Sequence, residues 1–510
     1  MTSSRFSANR RRFLQTTAAG STGLGLGFLS RLPHVSAQEV QPASDVVQLR
    51  PEIEPLVRLL EETPQDEVLE KVAARIHGGT SYQEVLAALL LAGVRNVQPR
   101  PSVGFKFHAV LVVNSAHIAS MDGPDEHRWL PIFWAIDNFK TSQARDIREG
   151  NWTMGPVDES HLPTATGARA AFQKAMDAWD VPAADAAVAA FARNAGANEV
   201  FEQFFRYGAR DFRSIGHKAI FVANSWRTLQ CIGWQHSEPV LRSLAYALLN
   251  HEGEANPAKA DLGPDQPWRR NIGLAAQFRE DWLEGNPDDA ATRDLLATLR
   301  TGTNNDACDK VLELVNGGVH PQSIWDALFL GSGELMFRQR GIVSLHALTT
   351  TNALRFAYGA TGNDDTRRML MLQNAAFVPM FRDALSGRGE VKDVAIDSLE
   401  ALPLKYEDST FTGEIFDTVG MDRMLASRKA MHAISRNLSA DELIDAARLL
   451  VFFKGNDSHD YKYSSAVLED YYHVSPNWRP QFMAASVHNL HGTGEADNRL
   501  VKRIQAAFEA

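Results

Sequence analysis

Apolar residues recur at helical spacing along nearly the whole chain, and strict two-residue alternation is scarce. The helical pattern runs through Ile53 to Leu60, Val85 to Leu91, Ala170 to Trp179 and Ala184 to Phe191. It returns in Asp294 to Leu299, Ala307 to Val315 and Ala440 to Phe453. A three-to-four residue period buries one stripe of a helix, whereas a period of two buries one face of a strand. The pattern predicts an all-α, multi-helix globular fold. Val110 to Val113 is β-branched, but it sits inside a longer helix-compatible stretch. Ser439, followed by Asp441 and Glu442, predicts a capped helix start with acidic first-turn residues. Breaks rich in Gly, Pro and Asp fall at 155–167, 253–267 and 386–393. The middle break holds three prolines in fifteen residues and predicts two helical lobes, 45–250 and 270–510. The two can also share one core.

The N-terminus predicts export. Asn9-Arg10-Arg11-Arg12-Phe13-Leu14-Gln15 has the form of a twin-arginine signal, followed by a weakly apolar stretch, Thr16 to Leu29. Val35-Ser36-Ala37 then reads as a small-residue cleavage site. On this reading residues 1–37 are removed, leaving 473 (510 minus 37). The twin-arginine (Tat) translocase is the export partner, and the product is periplasmic or secreted. That route carries folded proteins, often ones that acquire a metal or cofactor before export. No later apolar run approaches the ~20 residues needed to span a bilayer, so no stable membrane insertion is expected. The net charge is −10, with no basic block after the signal, which argues against a nucleic-acid partner.

The two cysteines, Cys231 and Cys308, exclude more than they suggest. They can pair only if the fold brings them together. There is no C-x-x-C-H for covalent haem, and no cysteine set for an iron–sulfur cluster or a Cys-rich zinc site. H-E-x-x-H, paired Glu-x-x-His, G-x-G-x-x-G after a strand, a P-loop and G-x-S-x-G are also absent. A metal here would need His or carboxylate ligands, or something less usual. Fifteen of the sixteen histidines follow the signal.

Three apolar segments each open with histidine: His108-Ala-Val-Leu-Val-Val-Asn114, His217-Lys-Ala-Ile-Phe-Val-Ala-Asn224 and His346-Ala-Leu-Thr-Thr-Thr-Asn352. A glycine precedes each, at Gly104, Gly216 and Gly341. Imidazoles gathered from separate helices are how helical proteins build metal sites. His117 lies nine residues after His108, on the opposite face of a regular helix, and is set aside. The fourth segment is Asp457-Ser458-His459-Asp460-Tyr461-Lys462, with His459 and Lys462 one turn apart. A buried lysine sheds its proton readily, and its neutral amine can take up carbon dioxide to give a carbamate, an anionic oxygen ligand. The expected metal ligands are therefore His108, His217, His346, His459 and Lys462. The competing reading of Lys462 is a surface salt bridge to Asp457, Asp460 or Glu469. Asn114, Asn224 and Asn352 are candidates to orient the imidazoles. Phe105, Phe107, Phe221, Trp226 and Phe356 are candidates to line an apolar pocket. His236, His251, His320, His488 and His491 read as structural or surface residues.

These residues carry a family resemblance. Gly216-His217-Lys-Ala-Ile220, with the later helix Pro239-Val-Leu-Arg-Ser-Leu-Ala-Tyr-Ala-Leu248, resembles a segment of the questin oxidase-like proteins. Asp457-Ser-His459-Asp-Tyr-Lys462 resembles that family's late Asp-x-His-x-x-Lys element, and His108 and His346 resemble its other histidine helices. The matching pieces cover about a fifth of the chain after the signal. The resemblance implies an all-α oxidoreductase that uses dioxygen and histidine-bound non-haem iron on cyclic, often aromatic molecules. The expectation is thus an exported oxygenase-like enzyme acting on a small cyclic or aromatic substrate, with zinc as the alternative metal. Two other readings remain: a non-catalytic helical scaffold with core histidines, and a b-type haem protein using two of the same histidines.

Overall fold

Twenty-two α-helices and no strand make up the described residues. The only β-type pairing among them is a bridge between Asn286 and Val319. The structure is a computed structural model that describes residues 45–101 and 103–509, apart from the Phe105 side chain. The twin-arginine motif, its apolar stretch and the Val35-Ser36-Ala37 site lie outside the described residues. The all-α expectation holds, and each periodic stretch lies wholly or largely in a helix. Val85 to Leu91 falls in Tyr82–Asn96, where Ser81 and Glu84 close a capping box. Ser439 caps Ala440–Lys454 by accepting the Glu442 N–H at 3.2 Å. Among the described residues no helix is long and apolar enough to cross a membrane.

The 253–267 segment is loop with a short 3-10 turn, Gly263–Asp265. It is tied back to the preceding helices. The Phe212 N–H donates to the Pro264 carbonyl at 3.0 Å, and the Arg213 guanidinium pairs with both oxygens of Asp265 at 2.6 and 2.7 Å. From Asp45 onward the chain is one unit, and a single apolar core extends from Ile53 to Ala507 across this segment.

Four helices position the candidate site: α1 (His108–Asp122), α2 (His217–Ile232), α3 (Ile342–Ala360) and α4 (Ser458–Asp470). They form a ring in which α1 touches α2 and α4, and α3 touches the same two. His108 and His217 are the first residues of their helices, His459 the second of α4, and His346 lies one turn into α3. Asn114, Asn224, Asn352 and Ser465, further along the same four helices, line one cavity. All four helices therefore run in the same direction away from the histidines. Parallel neighbours need long crossovers. Residues 123–216, 233–341 and 361–457 supply them, and the other helices of the core lie mainly in these crossovers.

Candidate metal centre

Local backbone features aim each imidazole. Before α2, Ser214, Ile215 and Gly216 adopt positive φ angles of 53°, 45° and 80°. A β-branched residue in this region is strained, and such strain persists only where the surroundings enforce it. The turn brings the Ser214 carbonyl within 2.5 Å of His217 Nδ1. On α3, His346 Nδ1 lies 2.6 Å from the Ile342 carbonyl, one turn earlier. Before α4, Asp457 both caps the helix and meets His459 Nδ1 at 2.5 Å. Its carboxyl is held down at about 2, mainly by that bond, so it is a carboxylate acceptor. Phe107, just before His108, packs edge-on to Phe221 with ring centres 4.8 Å apart, joining the starts of α1 and α2.

These contacts decide where the protons sit. A carbonyl or carboxylate oxygen can only accept, so Nδ1 of His217, His346 and His459 must each carry the hydrogen. Burial, reinforced by the Lys462 charge, pushes His217 well below its usual range. Burial, with His217 and Lys462 nearby, does the same to His346. A neutral ring protonated at Nδ1 has a bare lone pair at Nε2, the form in which imidazole binds metals.

The Nε2 atoms converge. His217 Nε2 lies 2.9 Å from His346 Nε2 and 2.9 Å from His108 Nε2. His459 Nε2 is buried with no hydrogen-bond partner. Its ring stands 4.5 Å from that of His108 and 5.3 Å from that of His346. Ligand nitrogens of His108, His346 and His459 all lie within 4.8 Å of one another. Between His217 and His346 neither facing nitrogen carries a proton. Two lone pairs at that distance repel unless a cation lies between them. The cluster could hold a metal ion.

Lys462 completes the group. It is 2% exposed, and its Nζ lies 3.4 Å from Nε2 of both His217 and His346, at the outer limit of a hydrogen bond. Burial pulls its pKa down to about 7 against the opposing charge of Asp457. The surface salt-bridge reading is corrected by the partners of the three acids. Asp457 is taken by His459, Asp460 by His491 at 3.3 Å, and Glu469 by Arg227 at 2.7 Å.

The structure thus gathers all five expected ligand residues at one place and gives the asparagines another role. Asn114 donates to Asn224 at 3.3 Å, and Asn224 to the Leu111 carbonyl at 2.8 Å. Asn352 donates to Glu469 at 2.8 Å and Asp470 at 2.9 Å. None of these bonds reaches an imidazole. Six or seven residues along a helix carry a side chain about 9–10 Å from its histidine. Backbone carbonyls and Asp457 orient the rings instead. The aromatic residues also separate: Phe107 and Phe221 pair with each other, Trp226 packs on Phe201, and Phe356 lies under Arg227. None of them lines the cavity formed by Asn114, Asn224 and Asn352. The Phe105 side chain lies outside the described part.

His117, on the far face of α1, meets the Tyr82 hydroxyl at 3.0 Å. His320 caps a helix and His488 meets Ser427, both structural roles. Cys231 and Cys308 are unpaired. Two glycines matter where the sequence showed only proximity to histidine. A Cβ at Gly104 would stand 3.1 Å from His217 Cε1 and 3.6 Å from His108 Cε1, and one at Gly216 would overlap the Thr350 side chain. Gly341 has open space around it.

No family model, curated protein or solved structure matches the chain.

Proposed function

We propose that the chain is an exported, non-haem metal-dependent oxidoreductase of oxygenase type, using iron at His108, His217, His346, His459 and Lys462. The observation that carries the reading is the pair of proton-free Nε2 atoms of His217 and His346, 2.9 Å apart. With metal–nitrogen bonds of about 2.1 Å, adjacent ligands stand about 3.0 Å apart in a six-coordinate shell and about 3.4 Å apart at tetrahedral corners. A 2.9 Å separation suits two ligands on one metal, and the choice of iron over zinc rests on the resemblance to questin oxidase-like proteins. The four imidazoles and Lys462, as a carbamate, would hold the metal. An iron ion there would supply the redox chemistry. The protein's part is to orient the His217, His346 and His459 rings through their Nδ1 hydrogens and to keep water from the buried side of the site. The four helix starts add a positive field that favours an anionic ligand such as a carbamate. The substrate class, a small cyclic or aromatic molecule, rests on the resemblance to questin oxidase-like proteins.

Metal analysis of the purified protein tests the reading. Iron near one per chain without a Soret band is expected. A Soret band would favour haem, and absence of any bound metal would favour the scaffold. Lys462→Ala should lower iron occupancy together with activity, and unchanged occupancy would remove Lys462 from the ligand set. The export part rests on Arg10 and Arg11. Changing both to lysine should retain an uncleaved precursor in the cytoplasm, and a double variant still exported and cleaved near Ala37 would end the Tat reading.

A further inference from the structure

Two buried charged residues outside the ligand set stand behind the turn that aims His217. The side chains of Asp211 and Lys218 are fully buried, and Lys218 Nζ donates to Asp211 Oδ2 at 2.8 Å. The other carboxylate oxygen accepts the Arg213 N–H at 3.1 Å. One carboxylate therefore holds both ends of the segment that contains Ser214, Ile215 and Gly216, all at positive φ. Strain of that kind persists only where neighbours enforce it.

The lysine reaches further. Its amine also donates to the Asn250 carbonyl at 3.0 Å, and the Asn250 side chain donates to the Pro101 carbonyl at 2.6 Å. Pro101 belongs to the segment that runs through Gly104 into His108. The same amine thus ties together the segments that enter α1 and α2. On the outer side, the Trp179 ring centre lies 4.9 Å from Lys218 Nζ and 5.2 Å from the Arg213 guanidinium carbon. Arg213 also pairs with Glu254 at 2.7 Å, which fixes the turn to the loop beyond it.

A buried ion pair of this kind adds little net stability. Replacing both partners by apolar residues of similar volume is often neutral, whereas removing one partner is costly. The contribution of the pair then lies in the geometry it fixes. We propose that Asp211 and Lys218 are positioning residues for the metal centre: their ion pair clasps residues 211–218 so that the Ser214 carbonyl faces His217 Nδ1 and Nε2 turns to the other imidazoles. The inference rests on the metal reading above for its role, while the clasp itself can be observed without metal.

The test uses full-length protein labelled with nitrogen-15 at histidine. Asp211→Leu combined with Lys218→Met removes both charges and roughly keeps the volume. The His217 ring is identified by the signals lost in His217→Ala. In metal-free wild type His217 Nδ1 should carry the hydrogen, and in the double variant the ring should show a mixture of both tautomers. Iron(II) and cobalt(II) should bind the double variant about 10–100-fold more weakly, the range for residues that orient a metal-bound histidine. The visible spectrum of bound cobalt(II) should shift, while the denaturant midpoint stays near that of wild type. If this variant fails to fold, Asp211→Asn with Lys218→Gln, which keeps hydrogen-bonding groups without the charges, takes the same measurements. A folded variant with the wild-type tautomer, affinity and spectrum overturns the proposal, whether or not it has lost stability. A wild type that binds neither metal overturns the metal reading instead, and the tautomer comparison then decides the clasp alone.

Discussion

His217→Ala is expected to abolish metal binding and to remove the dependence of melting temperature on added metal. His217 is the hub of the cluster, with Nε2 at 2.9 Å from two other imidazoles and 3.4 Å from the lysine amine. A metal that binds only the folded state stabilises it by about 4 kcal/mol when present at a thousand times its dissociation constant. Wild type should show a rise of that order and the variant none. In the metal-free state the two should differ less, because lost packing is offset by relief of the facing lone pairs. The scaffold reading makes the opposite forecast. A core histidine would cost stability on removal whether or not metal is added, and wild type would not respond to metal. Melting curves with and without iron(II), alongside metal analysis, separate the two.

Gly216→Ala is expected to lower stability by about 2–5 kcal/mol and to displace His217. A side chain in the left-handed region costs about 1–2 kcal/mol, and Gly216 has φ +80°. The new methyl would also overlap Thr350, adding about 1–3 kcal/mol for overpacking. Gly216→Ala with Thr350→Ala should recover part of the overlap cost and none of the backbone cost. Denaturant midpoints report stability, and metal content reports whether the Ser214 turn still aims His217. Wild-type stability in the single variant would mean that the turn can relax and that its strain has no role.

The parallel ring explains why bringing these five side chains together takes so long a chain. Each ligand helix must return to the same starting end, so a long crossover separates each from the next. Those crossovers carry most of the other helices of the core. The same arrangement puts four helix starts around the histidines, which disfavours protonated imidazole and favours an anion there.

The helices were legible because their apolar stripes repeat every three to four residues, a local property of the chain. The histidine set was legible for a related reason. Three of the histidines open similar apolar segments of the sequence, and one turn links His459 to Lys462. Spacing within one helix also removed His117 correctly. What decides the site's chemistry was not local. That Nδ1 of His217 faces a carbonyl depends on a strained turn at Ser214 to Gly216, and no residue pattern announces a left-handed isoleucine. That Lys462 is buried depends on α2 and α3 closing over it from more than a hundred residues away in sequence. The asparagines repeat with the histidines and so invited an orienting role, but nearly two helical turns of rise carried them into the cavity layer. The residue pattern determined which elements form and which side chains travel with them. Only the tertiary structure decided which lone pairs face one another, because that depends on the relative placement of four helices packed from distant parts of the chain.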